Sequence, residues 1–331
     1  MTNGNQMTMS SKMSLSSQVE IDDREIGKIL SEIFGRTEAK EIRHLSYAFT
    51  NKTLLVRFGE NDNDRVVAKI CIKEDRFPKL ELETNLISRI ASETELPVPD
   101  ILHKDFSRSK IKYPFVVYSF LSGENLADSI MHIEEKEKLG IELGKLASVL
   151  HQIKFDDPKF SLASTEKHNS WKKILEEVIT TGINKLQINN YAHVKGVEEY
   201  IKKEFSKVQE PKKYSLVHRD LQPQNLHWDN ELQRIVGVFD FESAMAGDHH
   251  FEFNFLERRL FKTYPVIRKS FYDTYSKHGN LDENYENLVR FYEVIRDLYF
   301  YNRDIQYGEL DRANEDVESI ERLVFDNWQV G

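Results

Sequence analysis

Hydrophobic positions along this chain follow two rhythms, and the change between them divides it. Residues 26–34 carry apolar side chains at helical spacing. The runs 41–49, 53–58 and 65–72 are short and apolar-rich, with a hydrophilic turn over 59–64, and predict strands. Pro78 precedes a predicted helix over 79–93, which Leu96-Pro97-Val98-Pro99 breaks, and an extended run over 113–120 follows. From Gly123 onward the spacing is mostly helical, over 134–153, 169–187 and 193–208, then 251–277, 283–305 and 311–328. The expected fold class is α+β and two-lobed: a small β-rich N-terminal lobe over 21–121 and a large, mostly helical C-terminal lobe over 122–331. Ser, Thr, Asn and Met dominate the start without an apolar core, so 1–20 reads as a disordered tail and not as a secretory signal.

One interruption of the helical half is a strand pattern. Between Asn225 and Asp240 lie the apolar run Leu226-His227-Trp228, the turn-prone Asp229-Asn230-Glu231 and a second apolar run over 235–239. This predicts a β-hairpin with its turn near 229–234. Folding it about its midpoint sets Asn225 and Asp240 side by side at the open end, as two oxygen ligands for one hard cation. Asp220 lies one short loop upstream. The run His218-Arg219-Asp220 to Asn225, followed by Asp240-Phe241-Glu242, has the spacing of a phosphoryl-transfer site. There one carboxylate positions an attacking hydroxyl, and an amide and a second carboxylate hold Mg²⁺ on a nucleotide. The competing reading is a polar loop beside an ordinary hairpin, with Asp229 as good a ligand as Asp240.

In the helix at 79–93, Leu80, Ile87 and Ile90 share one face and Glu83 lies in the middle of it. A carboxylate in an apolar stripe needs a cation, and Lys69 in the Val-Val-Ala-Lys-Ile strand is the candidate. Glu81 is the rival partner, on a neighbouring part of the helix. The segment 46–53 is the candidate phosphate-covering loop, with donors from Ser46 to Asn51, but it lacks glycines. No G-x-x-x-x-G-K-[ST] occurs, which excludes a P-loop enzyme.

Composition changes this picture only at its edges. The 331 residues allow one large or two ordinary domains, and 40% hydrophobic with 31% charged residues is ordinary for a globular chain. No stretch approaches the roughly 18 to 20 apolar residues of a membrane span. A single cysteine, Cys71, excludes an internal disulfide and reads as a buried strand thiol, so a cytoplasmic location is expected. The net charge of −9 disfavours nucleic-acid binding and is compatible with a cationic small molecule. The eight acidic and two basic residues of 304–326 read mostly as a solvated helix face. His249-His250 reads as a loop or helix start before a metal site, and Asp248 as an N-cap or a site residue.

Taken in order, these segments resemble the aminoglycoside phosphotransferase family, which includes choline kinase and homoserine kinase relatives and has a two-lobed protein-kinase-like fold. The resemblance is carried by Val67-Ala68-Lys69, Glu83, Leu96-Pro97-Val98-Pro99, the run from Pro114 to Gly123, the Leu143 to His151 helix, the loop at 218–227, Gly237 to Glu242, and Gly247-Asp248. It implies that Asp220 is the catalytic aspartate, that Asn225 and Asp240 bind Mg²⁺, and that Lys69 with Glu83 holds the phosphates of ATP or GTP. It also implies that Ser119, Phe120 and Leu121 form the hinge for the purine, with Tyr118 as a bulky gatekeeper. Acceptor residues would be Glu242, Glu252 and Glu257. Three positions are departures from the family pattern: Arg219, where relatives usually have glycine, Glu252, where the later acidic residue of Gly-Asp-Pro-x-x-Asp falls, and the bulky Tyr118 at the gatekeeper place. The implied activity is γ-phosphoryl transfer to a hydroxyl of a cationic small molecule, foremost an aminoglycoside, by a monomer. Kinases for choline or ethanolamine, homoserine, a sugar amine or a macrolide are the alternatives, and a pseudokinase is a more distant one. A protein kinase is disfavoured because no Ala-Pro-Glu motif follows Asp240.

Overall fold

The computed structural model describes residues 22–46, 51–61, 64–162 and 168–326. The tail over 1–20, half of the phosphate-covering loop (47–50) and Trp328 lie outside the described residues. Among the described residues two compact units emerge: one runs to Ser92 and resumes over Val98–Ser122, and the other takes Glu93–Pro97 and continues from Gly123.

In the first unit, α1 (Asp23–Phe34) precedes β1 (Glu41–Ser46), β2 (Asn51–Arg57) and β3 (Arg65–Cys71). After α2 (Phe77–Glu93) come β4 (Ile101–Asp105) and β5 (Phe115–Ser119). The sheet is antiparallel with order β1-β2-β3-β5-β4. Period-2 alternation decides what β3 presents to each face. Val66, Ala68 and Ile70 point into a core shared with Ile26 and Leu30 of α1 and with Leu54, Val56 and Val117. Lys69 therefore points to the opposite face. Cys71 is buried, and its thiol donates to the Lys73 carbonyl at 3.1 Å.

The second unit begins with β6 (Glu124–Asn125), α3 (Leu126–Ser129), α4 (Lys136–Leu150) and β7 (Lys154–Phe155). Helices α5 (Trp171–Ile188) and α6 (Val194–Phe205) lead to β8 (Tyr214–Val217), β9 (Leu226–Asp229), β10 (Arg234–Val238) and β11 (Met245–Gly247). It ends with α7 (His250–Leu256), α8 (Pro265–His278), α9 (Tyr285–Tyr307) and α10 (Leu310–Phe325). Two small sheets, β10-β9-β6 and β11-β8-β7, flank the chain segment that carries Asp220. Every residue of α7 is buried, within a core built from α5, α6, α9 and α10 around Trp171, Phe251 and Tyr292. Helix α8 lies tight against α4. A side chain in place of Gly140 or Gly144 would collide with the α8 backbone at Ile267 or Phe271.

The helix expected over 251–277 is two helices. After α7 the chain makes a π-helical turn over Glu257–Phe261 and restarts at Pro265. Proline lacks the amide that a continuing helix would need and suits a first helical turn. Among the described residues no helix is long and apolar enough to cross a membrane.

Candidate active site

The sequence motif lies on an irregular segment of the second unit between β8 and β9. Its backbone is gripped by one side chain: the Glu252 carboxylate of α7 accepts the amides of His218 at 2.5 Å and Arg219 at 3.2 Å. Glu252 is fully buried, and burial pushes its carboxyl up to about 8 against the downward pull of the amides of His218, Arg219 and Leu221. Arg219 then turns through a left-handed conformation, φ 69°. Its side chain leaves the loop sideways, donating to the Phe160 carbonyl at 2.7 Å and stacking over the Phe160 ring at 4.1 Å and the Tyr299 ring at 5.0 Å.

His218 is a buried spacer. One ring nitrogen, Nε2, meets the Phe239 carbonyl at 2.8 Å, and Nδ1 accepts the Asp220 amide at 3.2 Å. A carbonyl can only accept and an amide can only donate, so the ring is the neutral tautomer with its proton on Nε2. Burial lowers its pKa in the same direction. His218 thus ties the loop to the segment that leads from β10 to Asp240.

The predicted hairpin forms, with Leu226 paired to Val238 and Asp229 to Arg234. At its open end the Phe239 amide donates to the Asn225 carbonyl at 3.0 Å, which sets Asn225 beside the residue preceding Asp240. Asp240 is the second left-handed residue here, φ 65°. The Asn225 amide nitrogen donates to the backbone oxygen of Asp220 at 2.8 Å and to its Oδ2 at 3.0 Å. Burial raises the Asp220 carboxyl above the ordinary aspartate range; His218 opposes this and the charge of Asp240 adds to it. Asn225 spends its donor on Asp220, so its amide oxygen and the Asp240 carboxylate are hard oxygen donors of the kind Mg²⁺ takes, and these residues fit such an ion.

The residues expected to hold the nucleotide phosphates, Lys69 and Glu83, lie in the first unit. Lys69 Nζ lies 2.7 Å from Glu83 Oε2, and Glu83 is 3% exposed. The rival Glu81 is exposed on the outer side of α2. Asn51 is buried at the start of β2, and Ser46 ends β1. At the candidate hinge, Ser119 is already paired: its amide donates to Asp100 O at 2.9 Å and its hydroxyl accepts the Asp100 amide at 2.8 Å. Phe120 and Leu121 follow, half-buried, with the Arg65 guanidinium over the Phe120 ring at 5.3 Å. Tyr118 is buried in β5.

The acceptor candidates differ sharply. Glu242 is half-buried on the short turn after Asp240. Glu252 is committed to the loop backbone. Glu257 is buried against Arg268 at 2.8 Å and the Tyr272 hydroxyl at 2.9 Å. Sequence reasoning missed the loop-gripping role of Glu252, though a signal existed: a carboxylate amid Phe251, Phe253 and Phe255 needs internal donors, as Glu83 does. Asp248, His249 and His250 lie within 4.8 Å of one another. Asp248 Oδ1 accepts the His250 amide at 3.0 Å and its Nδ1–H at 2.8 Å, and Oδ2 accepts the Tyr292 hydroxyl at 2.8 Å. The cluster thus secures the entrance to α7.

Residues 42–285 match the model of the phosphotransferase enzyme family, APH. Among solved structures, the chain is similar to the GDP complex of wild-type aminoglycoside 2'-phosphotransferase-IIIa. The TM-score is 0.68 at 15% identity, over 93% of this chain and 100% of that one. Aminoglycoside phosphotransferase APH(4)-Ia gives a TM-score of 0.68 at 17% identity, over 92% and 99% of the two chains. A thermostable mutant of it, in a ternary complex with AMP-PNP and hygromycin B, gives 0.66 at 18%, over 91% and 97%. No curated protein matches the sequence.

Proposed function

The chain belongs to the phosphotransferase enzyme family, and on that premise we propose that it moves the γ-phosphoryl group of ATP or GTP to a hydroxyl of a small molecule, foremost an amine-rich aminoglycoside. The carrying observation is the Asn225 amide, which binds Asp220 at both its backbone and its carboxylate and so holds base and metal ligand in one frame. Asp220 orients the acceptor hydroxyl and receives its proton as the new O–P bond forms and the bond to the departing nucleoside diphosphate breaks. A buried carboxyl raised above its usual range suits that proton transfer. Asn225 and Asp240 would hold Mg²⁺, which when bound would offset charge on the phosphates. Lys69, fixed by Glu83, adds a cation for them, so catalysis is chiefly positioning and electrostatics. The names of the solved neighbours, with GDP or AMP-PNP and with hygromycin B, support a nucleotide donor and a small-molecule acceptor.

One observation favours a second acceptor class. Two of the three candidate acceptor carboxylates are used inside the protein, whereas the exposed Arg259 is close enough for its charge to act on Asp220. An acceptor with an anionic group, as in homoserine, would meet that cation. The test is a coupled nucleotidase assay with ATP and GTP against kanamycin, hygromycin B, a macrolide, choline and homoserine, run on wild type and D220A. Stimulation by an aminoglycoside in wild type, lost in D220A, is the expected result. Stimulation by homoserine alone would move the acceptor to the second class. Turnover unchanged in D220A would overturn the phosphotransferase assignment of this loop.

A further inference from the structure

Arg219, one residue before the proposed base, is held on both sides of its chain. Its amide is bound by Glu252 and its guanidinium by Phe160 and Tyr299, while its backbone stays at φ 69°. Non-glycine residues rarely adopt that conformation, and it persists only where the surroundings over-determine it. The partners of the guanidinium come from two further parts of the unit. Phe160 sits on the strap that follows β7, and Lys159 and Leu162 of this strap are bonded to β11 and its approach: Lys159 exchanges two backbone hydrogen bonds of 2.9 Å with Ala246, and the Leu162 amide donates to Ala244 at 3.0 Å. Tyr299 sits on α9, and its ring packs on Phe160 at 5.0 Å. The guanidinium is therefore a cation against two rings that already touch, in a partly buried site.

We propose that Arg219 is a positioning residue: its aromatic clamp locks the strap at 156–162 and helix α9 onto the catalytic loop, and so fixes the direction of the Asp220 carboxylate. This rests on the phosphoryl-transfer reading of Asp220. A glycine would fit φ 69° without strain but would have nothing to hold the strap. Arginine accepts the backbone strain and adds the clamp. Lysine lacks the planar face that stacks on both rings.

The test needs no known acceptor, because slow MgATP or MgGTP hydrolysis reports the placement of Asp220. R219G is expected to fold, since its backbone is relieved, and to lower kcat roughly tenfold, the size of losing a partly buried cation–π contact. The nucleotide KM should stay within about twofold, because Arg219 touches neither Asn225 nor Asp240, and a KM-against-kcat split separates positioning from binding. F160L should repeat the effect, F160Y should restore kcat because it keeps the ring, and R219G/F160L should be no worse than R219G alone. Amide exchange over 156–162 should quicken in R219G. Wild-type kcat in both R219G and F160L, with D220A inactive, overturns the clamp and leaves the enzyme reading standing. Full turnover in D220A removes that reading itself, and the clamp's role with it.

Discussion

Glu83 in the first unit and Glu252 in the second are both buried, at 3% and 0% exposure, yet they are stabilised in opposite ways. Glu83 faces a cation, Lys69, across a strand and a helix of regular geometry. Glu252 faces backbone amides and holds an irregular loop in place. On the proposed function, the difference follows from what each carboxylate has to fix. A phosphate-binding lysine needs only its charge placed, and a rigid strand with one counter-charge does that. A catalytic aspartate needs a backbone that leaves the common conformations, and the second unit has two such residues, Arg219 and Asp240, in the motif itself. Each costs on the order of 1–3 kcal/mol, so the surroundings must hold them from several directions.

The hardest blow to this comparison falls on the charge pair. K69M leaves Glu83 buried without this cation and should destabilise the protein by on the order of 3 kcal/mol, read as a lower urea midpoint. It should also raise the nucleotide KM. K69M/E83L should regain most of the lost stability, since an apolar pair can replace a buried ion pair, but none of the activity. If K69M melts like wild type, Glu83 is not held by charge and the contrast with Glu252 collapses.

A smaller effect is expected at the cage. E252Q keeps the shape of the side chain but turns an amide toward donors that need acceptors, at a cost of about 1–3 kcal/mol. Here kcat should fall with the nucleotide KM unchanged, the reverse of the kinetic pattern at Lys69. A raised nucleotide KM in E252Q would show that the loop also shapes the nucleotide site, and the two halves would no longer divide the work as argued.

The same division explains what could be read from the residues alone. Four of the five strands of the first unit's sheet, the long helices and the hairpin between Asn225 and Asp240 follow from apolar spacing, whereas β4 does not, and the Lys69–Glu83 pair follows from one misplaced carboxylate in a stripe. Strands β6, β7, β8 and β11 are two to four residues long, too short for periodicity to register. The π-helical turn at Glu257–Phe261 breaks a run whose apolar spacing continues through it. The acid-rich stretch at 304–326 reads as a solvated face, yet Asp304 and Asp316 are buried. Part of the reason is remote: Arg258, whose guanidinium bridges Asp316 and Asp297, lies dozens of residues earlier in the chain. Arg219 was legible as a departure from the family pattern. Its function was not, because Phe160 and Tyr299 are distant in sequence.

The mildest prediction concerns pH, where the two units should part again. In the first unit the net shift of Asp105 is downward: burial pushes its carboxyl up, but hydrogen bonds from Ser107, Lys110 and Ser109 outweigh it. Its stabilising contribution is present above the unfolded value and is lost as pH falls through the folded one. In the second unit burial raises Glu252 to about 8, and Glu293 and Asp316 to about 7. For a raised carboxyl the unfolded chain releases its proton first, near pH ~4, so stability falls as pH climbs from there to the folded value. Buried histidines act against this. Burial lowers His151 and His218, and lowers His249 to about 4, so stability rises with pH up to the unfolded histidine value near ~6.5. The opposing slopes offset one another below about pH 6.5, and only the carboxyl slope persists above it. Trp171 and Trp228 are fully buried in the second unit, so the change in their fluorescence on exposure reports that unit. Its melting temperature should be nearly level over about pH 5 to 6.5 and should decline toward about pH 8, by at most about 1.4 kcal/mol per pH unit for each carboxyl. D316N should flatten that decline and tilt the level stretch at about pH 5 to 6.5 upward, because one of the carboxyl slopes that offset the histidines is gone. A melting temperature that climbs from about pH 6.5 to 8 would mean that these carboxyls are ionised in the folded protein, with their charges met by Arg258, Arg296 and the loop amides in full.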